Sequence, residues 1–458
     1  MNDMRYSTQS LREHVRGDIV VQMMAAAIEA VEPGAAVRRV LRCKGTTLLV
    51  GDQAYDLEAI ERVIGVAFGK AGAPMIMAAA GVLGDRFSQG IAVIKDGHRG
   101  DIVATDALAR VTILEAGHPL PDARGVVAAG QITELLAGVT ERDLVLVLIS
   151  GGGSALLTHP VAGVTLDDLQ VLTRALLACG ATINQINTLR KHLDSVKGGG
   201  LAHLAQHAQI AALILSDVIG DPFDVIASGP TVPDPTTFAD AYAVLERYAI
   251  VERTPLSILE HLRRGLAGDS AETPKPGDPL FKRVQNLLIG SNRQAAEAAL
   301  AVAQAAGFAT LLLTTSLQGE AREVGRLLAS IAQEVIVSGN PLQRPCCIIA
   351  GGETTVTLRG AGRGGRNQEL ALSTVGQLAG LDGVLLVALA TDGGDGPTDA
   401  AGAVVTGATN DRALAHGLDP AAFLAQNNAY VFFDALGDLL RPGPTQTNVN
   451  DLTFLIVV

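Results

Sequence analysis

The segment LVLVLISGGGSALL, residues 144–157, determines the architecture expected for this chain. The aliphatic run 144–149 has the length and composition of a strand that is buried on both faces. Ser150 and the glycines Gly151, Gly152 and Gly153 follow it, and Ser154 enters an apolar helical stretch. Backbone amides in such a loop can wrap a phosphate group, and the two serines add hydroxyl donors. The alternative is a tight strand-to-helix turn without a ligand.

Aliphatic strands and Ala/Leu-rich amphipathic helices alternate along almost the whole sequence, which predicts parallel sheets covered by helices on both faces. Strands are predicted at 63–68, 90–94, 111–115, 144–149, 211–215, 286–289, 310–313, 346–350, 384–390 and 453–458. Helices are predicted at 18–31, 70–83, 125–136, 166–179, 291–306, 319–338, 367–378 and 420–426.

A length of 458 residues predicts more than one domain. Strand character fades after residue 232, and the stretch ETPKPGDP, 272–279, reads as a Pro-rich loop. We therefore expect an N-terminal α/β domain over 1–233, a connecting helical segment over 234–282 and a C-terminal α/β domain over 283–458.

Composition narrows the class of protein. A net charge of −12 argues against nucleic-acid binding, because affinity for a phosphate backbone needs a basic surface. Mean hydropathy is +0.31, but the apolar runs are too short to span a bilayer. The four cysteines lack metal-ligand spacing, and the N-terminus shows no export signal. We expect a soluble, cytoplasmic protein in a reducing compartment.

Ligand sites in α/β sheets follow the carboxyl ends of strands, so the residues at these junctions are the candidates. Gly69 and Lys70 resemble the end of a phosphate-binding P-loop, but the required spacing and the hydroxyl residue are missing. Lys70 can neutralise a phosphate or carboxylate, or be an exposed lysine of a first helical turn. Asp217 and Asp221 follow another strand and suit a magnesium ion or a general base, or simply form turns.

The stretch 187–200 combines Arg190, Lys191 and Lys197 with a triplet of glycines at 198–200, of which Gly198 and Gly199 are the first two. These cations can face a substrate or form a solvated helix face.

The stretch AGGETTVTLRGAGRGGRNQEL, 350–370, places Arg359, Arg363 and Arg366 among glycines between a strand and a helix. Guanidinium groups match phosphate or carboxylate oxygens, which predicts an anion cradle with the helix capped by Asn367. Glu353 can be the acidic partner of this cradle. A flexible surface turn is the alternative, and the contained G-x-G-x-x-G spacing is only weak support for a dinucleotide site.

The loop TDGGDGPTD, 391–399, holds Asp392 and Asp395 directly after a buried strand. Carboxylates in a glycine-rich loop are candidates for metal binding or for a base, although the glutamate of a calcium-binding EF-hand is absent.

These motifs, taken together, resemble the glycerate 2-kinases of the MOFRL type, a family that also carries hydroxypyruvate reductase labels. The matching stretches are GKA at 69–71, SGGGSALL at 150–157, KHLDSVKGGGLA at 191–202, LSDVIGDPFDVIASGPTVPDPTTF at 215–238, GGETTVTLRGAGRGGRNQE at 351–369, TDGGDGPTDAAGA at 391–403 and GPTQTNVNDL at 443–452. They keep their order over essentially the whole chain.

The resemblance implies ATP-dependent phosphorylation of D-glycerate at the 2-hydroxyl, giving 2-phosphoglycerate and ADP with Mg²⁺ or another divalent cation. It also implies a Rossmann-like three-layer α/β/α N-terminal domain, a smaller α/β C-terminal domain and an active site in the cleft between them. The family positions proposed for the site fall on Lys70 and Arg366. Gln446 departs from the small residue expected in its turn.

The chemistry of phosphoryl transfer, combined with the resemblance, gives a set of expected roles. The expected catalytic residues are Lys70, Arg366, Asp217 and Asp395. The residues expected to bind nucleotide and phosphate groups are Ser150, Gly151, Gly152, Gly153, Ser154, Lys197, Gly198 and Gly199. Lys191, Asp194, Glu353 and Arg363 are expected to bind the substrate, and Asp221 and Asp392 are expected to bind the metal. The base and metal roles of the aspartates are interchangeable at this level.

Two other functions remain open, an NAD(P)H-dependent hydroxypyruvate reductase and a non-catalytic protein that binds organic acids or sugar phosphates. In each case the expected partners are small molecules, with no nucleic acid and no membrane, and the expected state is a monomer or a homodimer.

Overall fold

The computed structural model describes residues 6–99 and 108–458. Its helices are α1 (Gln9–Glu13), α2 (Gly17–Ala30), α3 (Pro33–Val40), α4 (Gly72–Leu83), α5 (Ala123–Ala137), α6 (Gly153–Leu156), α7 (Leu166–Ala178), α8 (Ile183–His192), α9 (Gly200–Leu204), α10 (Phe238–Arg247), α11 (Leu256–Ala267), α12 (Asn292–Ala305), α13 (Ala321–Ser338), α14 (Arg366–Leu378), α15 (Thr409–Ala415), α16 (Pro420–Ala425) and α17 (Ala429–Leu436). Its strands are β1 (Leu41–Lys44), β2 (Thr47–Val50), β3 (Gln53–Asp56), β4 (Arg62–Phe68), β5 (Phe87–Lys95), β6 (Val111–Ala116), β7 (Asp143–Ile149), β8 (Gln209–Leu215), β9 (Val284–Gly290), β10 (Ala309–Leu317), β11 (Cys346–Gly352), β12 (Val384–Ala390), β13 (Gly402–Thr406), β14 (Leu439–Leu440) and β15 (Asp451–Val457).

The chain divides into two compact units whose boundaries differ from those expected from the sequence. Unit 1 combines the chain up to Glu32 with Gly290–Val458, and unit 2 is Pro33–Ile289. The N-terminal helix α2 joins unit 1 because it packs along α12. The segment 234–282 contains α10 and α11 and belongs to unit 2, where both helices bury apolar side chains.

Unit 2 contains a six-stranded sheet in the order β6-β5-β4-β7-β8-β9. Strands β4 to β8 pair in parallel. This is the strand order of a Rossmann fold, whose ligand crevice lies where the order reverses, here between β4 and β7. The Rossmann-like architecture expected for the N-terminal part is therefore confirmed in unit 2.

Helices cover both faces of this sheet. On one face, alternate residues of β4 and β7 pack against α5 and α9. On the other face α4 lies close to the strands, with the Ile76 side chain directly over Gly65 and Gly90. A separate apolar cluster joins α7, α8, α10 and α11. Unit 2 also contains the antiparallel sheet β1-β2-β3, which the sequence did not predict.

The sheet of unit 1 has the order β10-β11-β15-β12-β13-β14. Only β10 and β11 pair in parallel, and the remaining pairs are antiparallel. The expectation of parallel sheets throughout is therefore wrong for this unit. A parallel pair needs a helical crossover, whereas the loop between β12 and β13 contains no helix and returns the chain in the antiparallel direction.

A buried ion pair joins two helices of unit 1. The Arg322 Nη2 on α13 lies 2.6 Å from Glu369 Oε1 on α14, and Asn427 Nδ2 donates to the other carboxylate oxygen at 2.8 Å. The two helices approach closely because Gly325 has no side chain. A Cβ at this position would overlap the carbonyl oxygen of Leu370. These contacts fix the start of α14 against its neighbours.

Within residues 6–99 and 108–458, no single helix is both long enough and apolar enough to cross a membrane. The bent pair α2 and α3 meets the length and composition criteria only when the two helices are taken together.

Candidate active site

The loops that follow β4 and β7 in unit 2 are bound to each other. The Lys70 amide donates to the Gly151 carbonyl at 2.9 Å, and the Ala71 amide donates to Ser150 Oγ at 3.0 Å. Gly69 has a φ of 116°, and a Cβ there would overlap Ser150. The sequence-predicted Lys70 and Ser150 are thus brought together at the point where the strand order reverses.

These loops present donors that have no acceptor. In the part of the chain that the structure describes, the amides of Gly151 and Gly152 make no hydrogen bond. Over the same residues, no carboxylate lies within 4.0 Å of the Lys70 ammonium group. Two open amides and an unpaired cation at a sheet end have the chemistry that suits an oxyanion.

Asp217, which follows β8, contacts the same loop. Its half-buried carboxylate packs directly over Gly151, where a Cβ would overlap Oδ2. We define the switch-point cluster as Lys70, His118, Gly151, Gly152 and Asp217. The close approach places a carboxylate and an ammonium group on one glycine loop.

His118 belongs to this cluster and was missed by the sequence analysis. A Cβ on Gly152 would lie 3.0 Å from His118 Cδ2. Burial, together with the charges of Lys70, Lys95 and His98, lowers the pKa of His118 to about 4, so the ring is neutral near neutral pH. The signal was present, because GHPLPD directly follows β6, and strand ends were the places to search.

The predicted Lys191 and Lys197 lie elsewhere in unit 2 and already have acidic partners. Their side chains are 4% and 3% exposed. Lys191 Nζ lies 3.3 Å from Asp234 Oδ1, while Lys197 pairs with Asp194 and donates to the Leu157 carbonyl at 3.0 Å. These contacts neutralise both ammonium groups, and their roles in phosphate or substrate binding stay predictions.

The second glycine triplet also has internal partners. The Gly198 amide donates to the Ser228 carbonyl at 2.9 Å, and the Gly199 amide donates to the Gly229 carbonyl at 2.7 Å. Both donors expected to meet phosphate are therefore engaged within unit 2. Asp221 lies half-buried in a separate turn with a φ of 54°.

In unit 1 the structure brings Glu353, Arg366 and Asp395 close to Asp451, and we call these four residues the arginine cluster. Arg366 Nε and Nη2 bind Asp451 at 2.5 and 3.0 Å, and Arg366 Nη1 lies 2.8 Å from Glu353. Burial raises the pKa of Asp451, although Arg366 favours its charged form. Asp451 was missed as a site residue, although it stands in the quoted motif GPTQTNVNDL.

Asp395 occupies the N-terminus of α14. Its carboxylate accepts from the Asn367 amide at 3.2 Å and from the Gln368 amide at 2.9 Å. The residue that precedes the helix is Gly365, so the expected cap by Asn367 is wrong: the anion at this helix end is a side chain of the chain itself. Burial raises the pKa of Asp395 to about 7, with the charge of Asp451 acting in the same direction.

The remaining residues of the predicted arginine cradle are less closely held. The Arg363 guanidinium stacks 4.1 Å from the ring centroid of Tyr430, and Arg359 is exposed. Gly360 and Gly362 allow close approach to the backbone of Gln426 and so have a packing role. The cradle therefore consists of one anchored arginine and two arginines at the surface.

Comparison with known proteins adds to this geometry. Residues 19–263 match a family described as a domain of unknown function (DUF4147), and residues 346–451 match the MOFRL family. A protein of Pyrococcus horikoshii named glycerate 2-kinase is 42% identical over 441 residues, covering 96% of this chain and 97% of that protein. A crystal structure titled glycerate kinase from Thermotoga maritima has a TM-score of 0.85 at 42% identity, covering 96% of this chain and 99% of that chain. The chain belongs to the glycerate 2-kinase family.

One relative carries a different and provisional name. A relative from Agrobacterium vitis, 44% identical over 398 residues and matched over 86% of this chain and 87% of its own length, carries the name hydroxypyruvate reductase only provisionally. The recognition made from the motifs is confirmed, and it places the chain among glycerate kinases.

Position 446, where a small residue was expected from the resemblance, has a particular backbone conformation. Its φ is 63°, in the left-handed region that favours glycine. The small residue expected there is explained by this backbone conformation, which Gln446 also adopts.

The described part of this glycerate 2-kinase family member contains no preformed metal site. In the described ranges, no three His, Cys, Asp or Glu side chains are grouped so as to hold a metal ion. The predicted metal ligand Asp392 instead accepts the Gly394 amide of its own loop at 3.1 Å. The metal roles of Asp221 and Asp392 therefore stay predictions.

Proposed function

We propose that this protein is an ATP-dependent kinase that phosphorylates D-glycerate at the 2-hydroxyl, giving 2-phosphoglycerate and ADP. The observation that carries the proposal is the switch-point cluster, where the Lys70 ammonium and the open amides of Gly151 and Gly152 meet at the ligand end of a Rossmann sheet. The names of the full-length relatives support the same reaction.

Phosphoryl transfer depends mainly on positioning and charge stabilisation. In our proposal the Gly151 and Gly152 amides and Lys70 bind phosphoryl oxygens. Asp217, which packs over Gly151, accepts the proton of the attacking hydroxyl. Asp395 has a positioning role, because its carboxylate already holds the start of α14. In unit 1, the Arg366 guanidinium stabilises negative charge that develops during the transfer.

A divalent cation, Mg²⁺ in the first instance, is proposed to arrive with the nucleotide. Magnesium is typically bound by one or two carboxylates together with substrate phosphates. The described residues fit that arrangement, since the Asp217 carboxylate lies against the glycine loop whose amides we propose to bind phosphoryl oxygens. The cation neutralises phosphate charge when bound, and Asp217 is the residue that would contact it.

The assay that tests the proposal measures ADP release with D-glycerate, ATP and Mg²⁺ beside NADH oxidation with hydroxypyruvate. The phosphate position of the product is read by ³¹P NMR. We expect ADP release with a 2-phosphate product. NADH oxidation without ADP release would instead support the reductase, and silence in both assays would favour a binding protein or another acid.

Gly151→Ala tests the close contact between Asp217 and the loop. The added Cβ displaces the Asp217 carboxylate, whose flexible side chain can move, so we expect the fold to persist. We expect kcat to fall by about tenfold or more, since a small displacement of a catalytic group is costly. The control is Gly130→Ala, where nothing lies within 4 Å of the added Cβ. Equal kcat in both variants would contradict the role of Asp217.

Cytoplasmic location and a monomeric or homodimeric state remain proposals from the sequence. Sedimentation velocity of the purified protein measures the second directly.

A further inference from the structure

Unit 2 contains a small cavity beside the glycine loop that follows β7. Its volume is about 30 Å³, and its walls come mainly from leucines of α7 and α8. The polar residues at the cavity are Ser154, Thr158, Thr173, Arg190 and the ion pair of Asp194 with Lys197. Arg190 thus lines a confined space whose walls are mostly apolar apart from these groups.

The charge of Arg190 is not neutralised by a bound carboxylate. Its closest polar partner is Asn187 Oδ1, 3.5 Å from Nη1. Among the described residues, no carboxylate oxygen lies within 4.0 Å of its nitrogens. Burial lowers the pKa of Arg190, and only the charge of Asp194 acts in the opposite direction. Arg190 is partly exposed, and the part of its side chain that is removed from water makes an unpaired charge costly.

Asp194 does not neutralise the charge of Arg190, because its carboxylate already accepts from three donors. It pairs with Lys197 and accepts the amides of His159 and Val196 at 3.1 Å each. One carboxylate therefore faces two cations, Lys197 and Arg190. The cluster carries a net positive charge that an anion would balance.

A chain of hydrogen bonds links Arg190 to the glycine loop. Asn187 Oδ1 accepts from Ser228 Oγ at 3.1 Å, and Ser228 Oγ lies 2.5 Å from Ser154 Oγ. Ser228 has a φ of 63°, and Ala227 before it has a φ of 50°. Two consecutive left-handed residues other than glycine carry strain, which is characteristic of functional sites. This strained turn fixes a hydroxyl between Arg190 and Ser154.

The position of Arg190 at the end of α8 does not explain why it lacks a carboxylate partner. The last turn of α8 contains Arg190, Lys191 and His192, and the helix dipole stabilises positive charge at this end of the helix. However, Lys191 and His192 each have an acidic neighbour, Asp234 and Glu272. Interaction with the helix end does not require a guanidinium to line a cavity without such a partner.

We propose that Arg190 and Ser154 form an oxyanion subsite that binds one carboxylate or phosphoryl group of a substrate. This inference rests on the kinase function proposed above and adds a residue to it. The cavity has room for the oxygens of one such group and excludes a nucleotide base. The carboxylate of the acid and a phosphate of the nucleotide are the two sources of this chemistry, and kinetics separates them.

The kinetic test compares Arg190→Gln with wild type, with Arg190→Lys as the conservative variant. Loss of one charge-assisted contact is expected to raise one KM by about tenfold or more while kcat changes little. A raised KM for D-glycerate identifies a carboxylate, and a raised KM for ATP identifies a phosphoryl group. Lysine is expected to restore part of the affinity. The matched control is Arg174→Gln, which removes an exposed arginine from the neighbouring helix α7.

A binding test is independent of turnover. Thermal midpoints are measured with D-glycerate, with ATP and with inorganic phosphate, each added alone. We expect one of them to raise the midpoint of the wild type and of Arg174→Gln, and to leave Arg190→Gln unchanged. If Arg190→Gln does not fold, Arg190→Lys replaces it and is expected to show a reduced shift.

The two failures are distinguishable. A wild type without kinase activity refutes the proposed function, while the binding arm still tests the subsite. An active enzyme whose Arg190→Gln variant keeps both KM values and every ligand-induced shift overturns the oxyanion subsite.

Discussion

Replacing Lys70 by alanine lowers kcat by at least about 100-fold, the scale of removing a preorganised stabiliser of developing charge. The ammonium group lies beside the open amides of Gly151 and Gly152, and no acidic partner holds it among the described residues. Its charge therefore serves a ligand, and stability is expected to change little. Initial rates of ADP release at saturating D-glycerate and ATP measure the effect.

Two variants make the Lys70 result specific. Lys70→Arg keeps the charge but changes the shape of the donor, so partial activity is expected. Lys44→Ala removes an exposed lysine of β1 in the same unit and is expected to keep wild-type rates. Near-wild-type turnover of a folded Lys70→Ala protein would refute the role of this residue.

The sequence predicted the sheet of unit 2 well because its strands are short aliphatic runs with clear ends. All seven residues of β7 are buried, and the pattern of a parallel strand covered on both faces is difficult to mistake. The strand-end rule then directed attention to Lys70, Ser150 and Asp217, which the structure does bring together.

The sheet of unit 1 was harder to predict because strand direction leaves little trace in composition. β15 is fully buried and aliphatic like the strands of unit 2, yet it runs antiparallel to both β11 and β12. The domain boundaries had a similar difficulty. The amphipathic pattern of α2 shows that one face is buried, but it does not show that the partner is α12, far away in sequence.

Side-chain partners were the least predictable part of the site. Asp395 was predicted as a catalytic carboxylate, and in the structure it accepts hydrogen bonds from the amides at the start of α14. Lys197 was chosen as a phosphate ligand, and it pairs with Asp194. Such pairings depend on tertiary distances and cannot be read from residue type. His118, in contrast, stood at a strand end and could have been found.

Arg366→Met lowers stability and activity together, because the residue has two tasks. Arg366 binds both oxygens of Asp451, a largely buried carboxylate, and also contacts Glu353. Removing Arg366 leaves the largely buried Asp451 carboxylate without its cation, and because the arginine side chain is partly exposed we expect a cost of about 2 kcal/mol. Loss of the guanidinium is also expected to lower kcat by about 100-fold or more. Chemical unfolding and the ADP-release assay measure the two effects.

A second substitution separates the two tasks of Arg366. In Arg366→Met with Asp451→Asn, the unpaired charge at position 451 is removed, so we expect most of the stability to return while kcat stays low. The pH dependence gives the same distinction. Burial raises the pKa of Asp451 in the folded state, and without Arg366 only the hydrogen bond from Asn367 opposes this shift. A carboxyl group with a raised folded pKa destabilises the fold above its unfolded pKa and ceases to do so below it. The stability deficit of Arg366→Met should therefore shrink as the pH falls toward about 4, the unfolded pKa of aspartate. A deficit that is independent of pH, or activity restored by the double substitution, would show that Arg366 acts in another way.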